Sequence, residues 1–77
     1  MSETLLDVQG LSCPLPVLKA NKALRALPPG ARLVVLATDP AAAKDFPAYC
    51  GETGHELVEA TEADGVWRFV LRKKEAA

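Results

Sequence analysis

Of the two cysteines in this chain, one is placed for chemistry and the other for packing. Cys13 sits in the run Gly10-Leu11-Ser12-Cys13-Pro14-Leu15-Pro16, where a helical period begins. Unpaired amides and the macrodipole at a helix N-terminus favour an anion, and thiolate is the nucleophilic form of cysteine. Pro14 and Pro16 delete some of those amide donors but restrict the backbone, so the segment presenting the sulfur is expected to be stiff. The chemistry this implies is nucleophilic attack by a Cys13 thiol moderately more acidic than a free one. Cys50 shares an inferred helix face with Phe46 and Tyr49 and reads as a small core residue.

Other chemistries find less support. A zinc site built from Cys13, Cys50 and His55 lacks a fourth ligand and a ligand spacing, so no metal is expected. His55 is a candidate base toward Cys13, although a lone histidine at a strand start is usually surface. A redox cycle through a Cys13–Cys50 disulfide needs two exposed thiols within bonding distance, which the packing role of Cys50 opposes. Position 19, six residues after Cys13, is lysine and not the arginine of a cysteine phosphatase. Glycine-rich phosphate loops and the paired aromatics of nucleic-acid-binding sheets are missing, and no cofactor is expected. Lys19, Lys22 and Arg25 recur every three residues along the same helix, as a solvated stripe or a docking surface for a partner.

The elements that must position Cys13 follow from hydrophobic period. Thr4 to Val8 reads as a strand ended by Gln9-Gly10, and Cys13 to Leu27 as an amphipathic helix through Val17, Ala20, Leu24 and Leu27. Ser12 or Cys13 is the expected N-cap, with both prolines in the first turn. Pro28-Pro29-Gly30 stops this helix, and Leu33 to Ala37 is the apolar run of a central strand. Asp39-Pro40 resembles a helix start, but Pro47 predicts that the second helix begins only at Asp45, with Gly54 as its stop. Leu57 to Thr61 and Val66 to Arg72 flank the hairpin signal Asp64-Gly65. The expected fold is α+β: a two-layer α/β sandwich in the order β-α-β-α-β-β, with a four-stranded mixed sheet and two helices on one face.

With 77 residues, about half of them apolar, the chain has room for a single domain and one modest core, with Lys73 to Ala77 as a frayed tail. Nine basic against ten acidic side chains give a net charge of −1, which supplies no general drive toward nucleic acid or a membrane. The first residues have neither a basic opening nor an apolar run, so a cytoplasmic protein with reduced thiols is expected.

The segment Gly10 to Pro16 resembles the Gly-Leu-x-Cys-Pro-x-Pro signature of the TusA/SirA-like sulfur carrier family. The likeness continues through Thr38-Asp39-Pro40, Asp45-Phe46-Pro47, Cys50 and Gly54-His55-Glu56-Leu57, nearly the whole chain. It implies a sandwich of four mixed strands under two helices, as the period suggests. It also implies that Cys13, supported by Gly10, Ser12, Pro14 and Pro16, takes sulfane sulfur as a persulfide from a cysteine desulfurase or rhodanese-like donor. The sulfur would pass to a downstream acceptor protein in tRNA thiolation, cofactor synthesis or sulfur oxidation, without independent turnover by this chain, which is expected to be a monomer. Leu15 stands where the best-known tRNA-thiolation members carry an acidic residue. The alternative is a regulatory or nucleic-acid-binding module that uses the fold as a scaffold and Lys19, Lys22 and Arg25 as contacts, against which the near-neutral charge argues.

Overall fold

Six elements follow one another in the computed structural model, which describes residues 3–75: β1 (Glu3–Asp7), α1 (Leu15–Arg25), β2 (Arg32–Ala37), α2 (Ala42–Thr53), β3 (Glu56–Ala63) and β4 (Val66–Arg72). The strands form one sheet in the order β1-β2-β4-β3, with β1 parallel to β2 and the other two pairings antiparallel. Alternation sends Leu33, Val35 and Ala37 of β2 and Phe69 and Leu71 of β4 to one face, because successive strand side chains point to opposite sides. Ala20 and Leu24 of α1 meet them there, as do Phe46, Tyr49 and Cys50 of α2. Both helices therefore cover the same side of a mixed sheet, as the sequence predicts. Phe46 and Phe69 stack with ring centroids 4.7 Å apart at the centre of this layer.

The hairpin also follows expectation. Asp64 (φ 53°) and Gly65 (φ 82°) are both left-handed, the conformation a two-residue turn needs to match strand twist. β3 shifts register between Leu57 and Glu59, and apart from half-buried Leu57 its side chains are exposed.

Three expectations are corrected. Helix α1 starts at Leu15 and not at Cys13; Pro14 occupies the N-cap, and neither Ser12 nor Cys13 caps it with a side chain. Helix α2 starts at Ala42, before Pro47, and not at Asp45. Asp39 initiates it: its Oδ1 accepts the Ala41 amide (3.1 Å) and its carbonyl accepts that of Ala42 (3.0 Å). That start outweighs Pro47, which sits on the exposed side of the second turn. Lys73 and Lys74, expected to fray, are tied back. The Lys73 amide donates to the Ala31 carbonyl (2.8 Å), Lys73 Nζ to the Leu27 carbonyl, and Lys74 Nζ to the Thr53 carbonyl (2.7 Å). The two lysines thus place cations on the carbonyl ends of both helices, where the macrodipole favours them. Ala76 and Ala77 lie outside the described residues.

Candidate functional site

Because β1 and β2 run parallel, in register Leu6↔Val35 and Asp7↔Leu36, their C-terminal ends lie side by side. The segment that leaves β1 must therefore pass the segment that leaves β2. Val8 prolongs the pairing through a 2.9 Å bond from its amide to the Leu36 carbonyl. Gly10 then turns with φ +83°, and its amide donates to Thr38 Oγ1 (2.8 Å). A Cβ at Gly10 would meet nothing within 4 Å, so glycine is required there for its backbone and not for space. Three residues on, the Cys13 amide donates to Asp39 Oδ2 at 2.6 Å. This charge-assisted bond and the Gly10 contact hold both ends of the loop. Asp39 thus fixes the Cys13 backbone with one carboxylate oxygen and starts α2 with the other.

The motif residues divide by task. The Ser12 carbonyl accepts the Leu15 amide (2.9 Å) and the Pro14 carbonyl that of Leu18 (3.1 Å), leading the chain into α1. Pro16 is buried on the inner side of α1, while Ser12, Cys13 and Pro14 are exposed. The Cys13–Pro14 peptide is cis. Both cysteines are free thiols, Cys13 exposed and Cys50 buried. Beside Cys13 lies an open groove of about 240 Å³ between the helices, lined by Pro14, Val17, Asp45, Ala48, Tyr49 and Glu52. A bond from the Tyr49 hydroxyl to Asn21 Oδ1 (2.8 Å) spans the two helices next to it.

The Cys13 thiol is corrected in one respect: it is less acidic than a free thiol, not more. Hydrogen bonding to the Asp45 carboxylate, partial desolvation and the negative charges of Asp45 and Asp39 all push its pKa up. The helix amides are not close enough to win, because α1 begins two residues beyond the sulfur and the Cys13 amide already serves Asp39. Burial raises the Cys50 thiol as well.

The other candidates are dispersed. His55 lies past the C-terminal end of α2, roughly 18 Å along a helix of that length from the end facing Cys13. Its Nδ1 accepts the Lys74 amide (3.1 Å), its ring lies 5.8 Å from that of Tyr49, and burial with Lys74 and Lys73 lowers its pKa. Its neighbours in the groove there are Asn21, Arg25, Thr53 and Lys74, so it is not a base for Cys13. Among the described residues no three His, Cys, Asp or Glu side chains converge as metal ligands. Lys19, Lys22 and Arg25 are all exposed but do not share one surface. Lys19 and Lys22 flank a shallow groove with Leu6, on the β1 side of α1, whereas Arg25 faces the α2 side. A three-residue step drifts round a 3.6-residue helix, which explains the divergence.

Sequence reasoning read Asp39 and Asp45 only as helix-start signals and gave neither them nor Thr38 a place at the Cys13 site. A signal existed: Thr38 and Asp39 directly follow the parallel strand β2, and the outer ends of parallel strands are where loops gather to form sites. Asp39→Ala is expected to lower the unfolding free energy by about 1 kcal/mol through the lost cap and to speed hydrogen exchange of the Cys13 amide. Exchange at Cys13 unchanged from the parent would show that the carboxylate does not hold the loop.

A family model described as Sulfurtransferase TusA matches residues 4–73. The sulfur carrier protein TusA of Allochromatium vinosum is 48% identical over 68 residues, covering 88% of this chain and 90% of that protein. The Pseudomonas aeruginosa protein of the same name is 44% identical over 72 residues, covering 94% and 91%. The crystal structure of a SirA-like protein from Desulfitobacterium hafniense matches with a TM-score of 0.82 at 28% identity, over 94% of this chain and 99% of that one.

Proposed function

The chain belongs to the TusA family, and from that premise we propose that it carries sulfane sulfur as a persulfide on Cys13 within a sulfur relay. The observation that carries this reading is the contrast between the thiols: one stands exposed on a loop held at both ends, the other is buried in the core. In the loading step the Cys13 thiolate attacks the outer sulfur of a donor cysteine persulfide. A new S–S bond forms on Cys13, the donor's S–S bond breaks, and the electron pair leaves with the donor thiolate. In the unloading step an acceptor thiolate attacks the outer sulfur, and the Cys13 thiolate is released. Each step leaves the carrier as it was or loaded, so it needs no turnover of its own, and a cytoplasmic monomer suffices.

Partners are a cysteine desulfurase or a rhodanese-like protein as donor and a thiol-bearing protein as acceptor. The surface beside the sulfur suits protein contact, since Leu15 and Leu18 are 44% and 55% exposed on the first turns of α1; large apolar side chains in solvent next to a reactive atom gain by being covered. Incubation with a desulfurase and cysteine, followed by intact mass measurement, tests the reading: one added sulfur atom is expected per chain, and none with any donor would overturn it. Reversing charge at Lys19, Lys22 and Arg25 together is expected to slow transfer from at least one partner, more at low salt, with the fold retained. Unchanged rates with every partner at low salt would assign these cations to plain solvation.

A further inference from the structure

The groove beside Cys13 is acidic. Cys13, Pro14 and Val17 form one wall and Asp45, Ala48, Tyr49 and Glu52 the other, so among the described residues its only charged side chains are carboxylates. Asp45, Ala48, Tyr49 and Glu52 fall at three- and four-residue steps on one face of α2, which aims both carboxylates at the opening. Asp39 adds a third behind the sulfur, with Oδ2 on the Cys13 amide. Among the described residues no cation lines this groove: Lys19 and Lys22 border another, and Arg25, Lys73 and Lys74 border an adjoining one that Glu52 also reaches, which leaves Asp45 as the carboxylate beside the sulfur. Tyr49 is the remaining titratable group facing the sulfur, and its hydroxyl is committed to Asn21.

Building on the carrier reading, we propose that Asp45 is a positioning and specificity-determining residue: it holds the Cys13 thiol in check in the free carrier and reserves it for partners that bring a cation into the groove. The physical basis is simple. A carboxylate sharing the groove with a thiol opposes formation of a second negative charge there and so favours the protonated thiol. A partner whose reactive cysteine is flanked by lysine or arginine neutralises Asp45 on docking and releases the thiolate where the electrophilic sulfur already is. An anionic partner meets like charge and is rejected. Stray electrophiles in solution meet a protonated thiol.

The test uses the carrier alone, so it is independent of whether any donor loads it. In a Cys50→Ser background, the rate of iodoacetamide alkylation is followed against pH for Asp45, Asp45→Asn and Asp45→Glu. The parent is expected to titrate above a free thiol. Asp45→Asn is expected to titrate lower and to react severalfold faster at pH 7, while Asp45→Glu, which keeps the charge, stays close to the parent. A second arm compares exchange with cystamine, a cationic disulfide, and dithiodiglycolate, an anionic one. The parent is expected to prefer the cationic reagent severalfold and Asp45→Asn to lose most of that preference. Superimposable pH profiles for parent and Asp45→Asn, or equal acceleration by Asn and Glu, would overturn the proposal, the latter by tracing the effect to a loosened loop. Absence of sulfur loading with intact charge selectivity would instead strike the carrier reading alone.

Discussion

Replacing Cys13 by serine is expected to abolish sulfur loading outright, while Cys50→Ser loads like the parent. Loading requires a sulfur nucleophile that can reach the outer atom of a protein-bound persulfide, and the two thiols differ in both respects. Cys13 is exposed on its loop, whereas Cys50 is only 6% exposed and packs among Phe46, Tyr49 and the sheet. Burial also holds the Cys50 thiol protonated by raising its pKa, so a donor would have to unfold α2 to use it. A serine hydroxyl at position 13 cannot take over, because at neutral pH it is not ionised and cannot form the S–S bond. Peptide mapping after incubation with a desulfurase and cysteine decides the matter. Sulfur found on Cys50, or normal loading of Cys13→Ser, would remove Cys13 from the centre of the mechanism.

The second large effect is on stability. Phe46→Ala is expected to cost about 3–5 kcal/mol, the usual range for emptying a buried aromatic site. Phe46 is fully buried, stacks on Phe69 at 4.7 Å, and joins α2 to the middle of the sheet. At roughly 0.05–0.15 kcal/mol per residue a chain of 77 residues has only about 4–12 kcal/mol in total, so this one change removes a large share. The melting temperature should fall by more than about 10 °C, since each kcal/mol is worth roughly 4–8 °C in a domain this small. The single tryptophan reports the transition directly, because Trp67 stacks on Phe69 at 6.0 Å. Leu5→Ala, at a position 64% exposed, should change little. A Phe46→Ala loss below about 1 kcal/mol would mean that the two layers are not held by this stack.

Which parts of this molecule were legible in its sequence depended on how local their causes are. β4 and its turn were read residue for residue, because alternation in Val66 to Arg72 and the Asp64-Gly65 pair are each decided within a few positions. The two cysteines were told apart by local signals, Cys50 by its place on an apolar helix face and Cys13 by a helix start flanked by Pro14 and Pro16. The start of α2 was misplaced because two local signals conflicted. Pro47 spoke against a helix that the Asp39 cap, eight residues earlier, had already started. The acidity of Cys13 was misjudged for a different reason: the groups that decide it, Asp39 and Asp45, are 26 and 32 residues away along the chain. They arrive only because β1 and β2 end together, which no window around Cys13 can reveal.

The outer strand of the hairpin has a further consequence. β3 is eight residues long, lies at the edge of the sheet and leaves nearly all its side chains in solvent, which is the usual template for a second chain to pair with. Glu56, Glu59 and Glu62 mark that edge, Arg72 and Arg68 of β4 reach back to the first two (3.8 and 3.0 Å), and the register shift after Leu57 breaks its regular hydrogen-bonding row. Two such edges brought together antiparallel would set carboxylates against carboxylates and a kinked ladder against another. Charge and an irregular backbone row thus oppose pairing along this flank, so the exposed apolar side chains beside the sulfur are left as the face that favours contact.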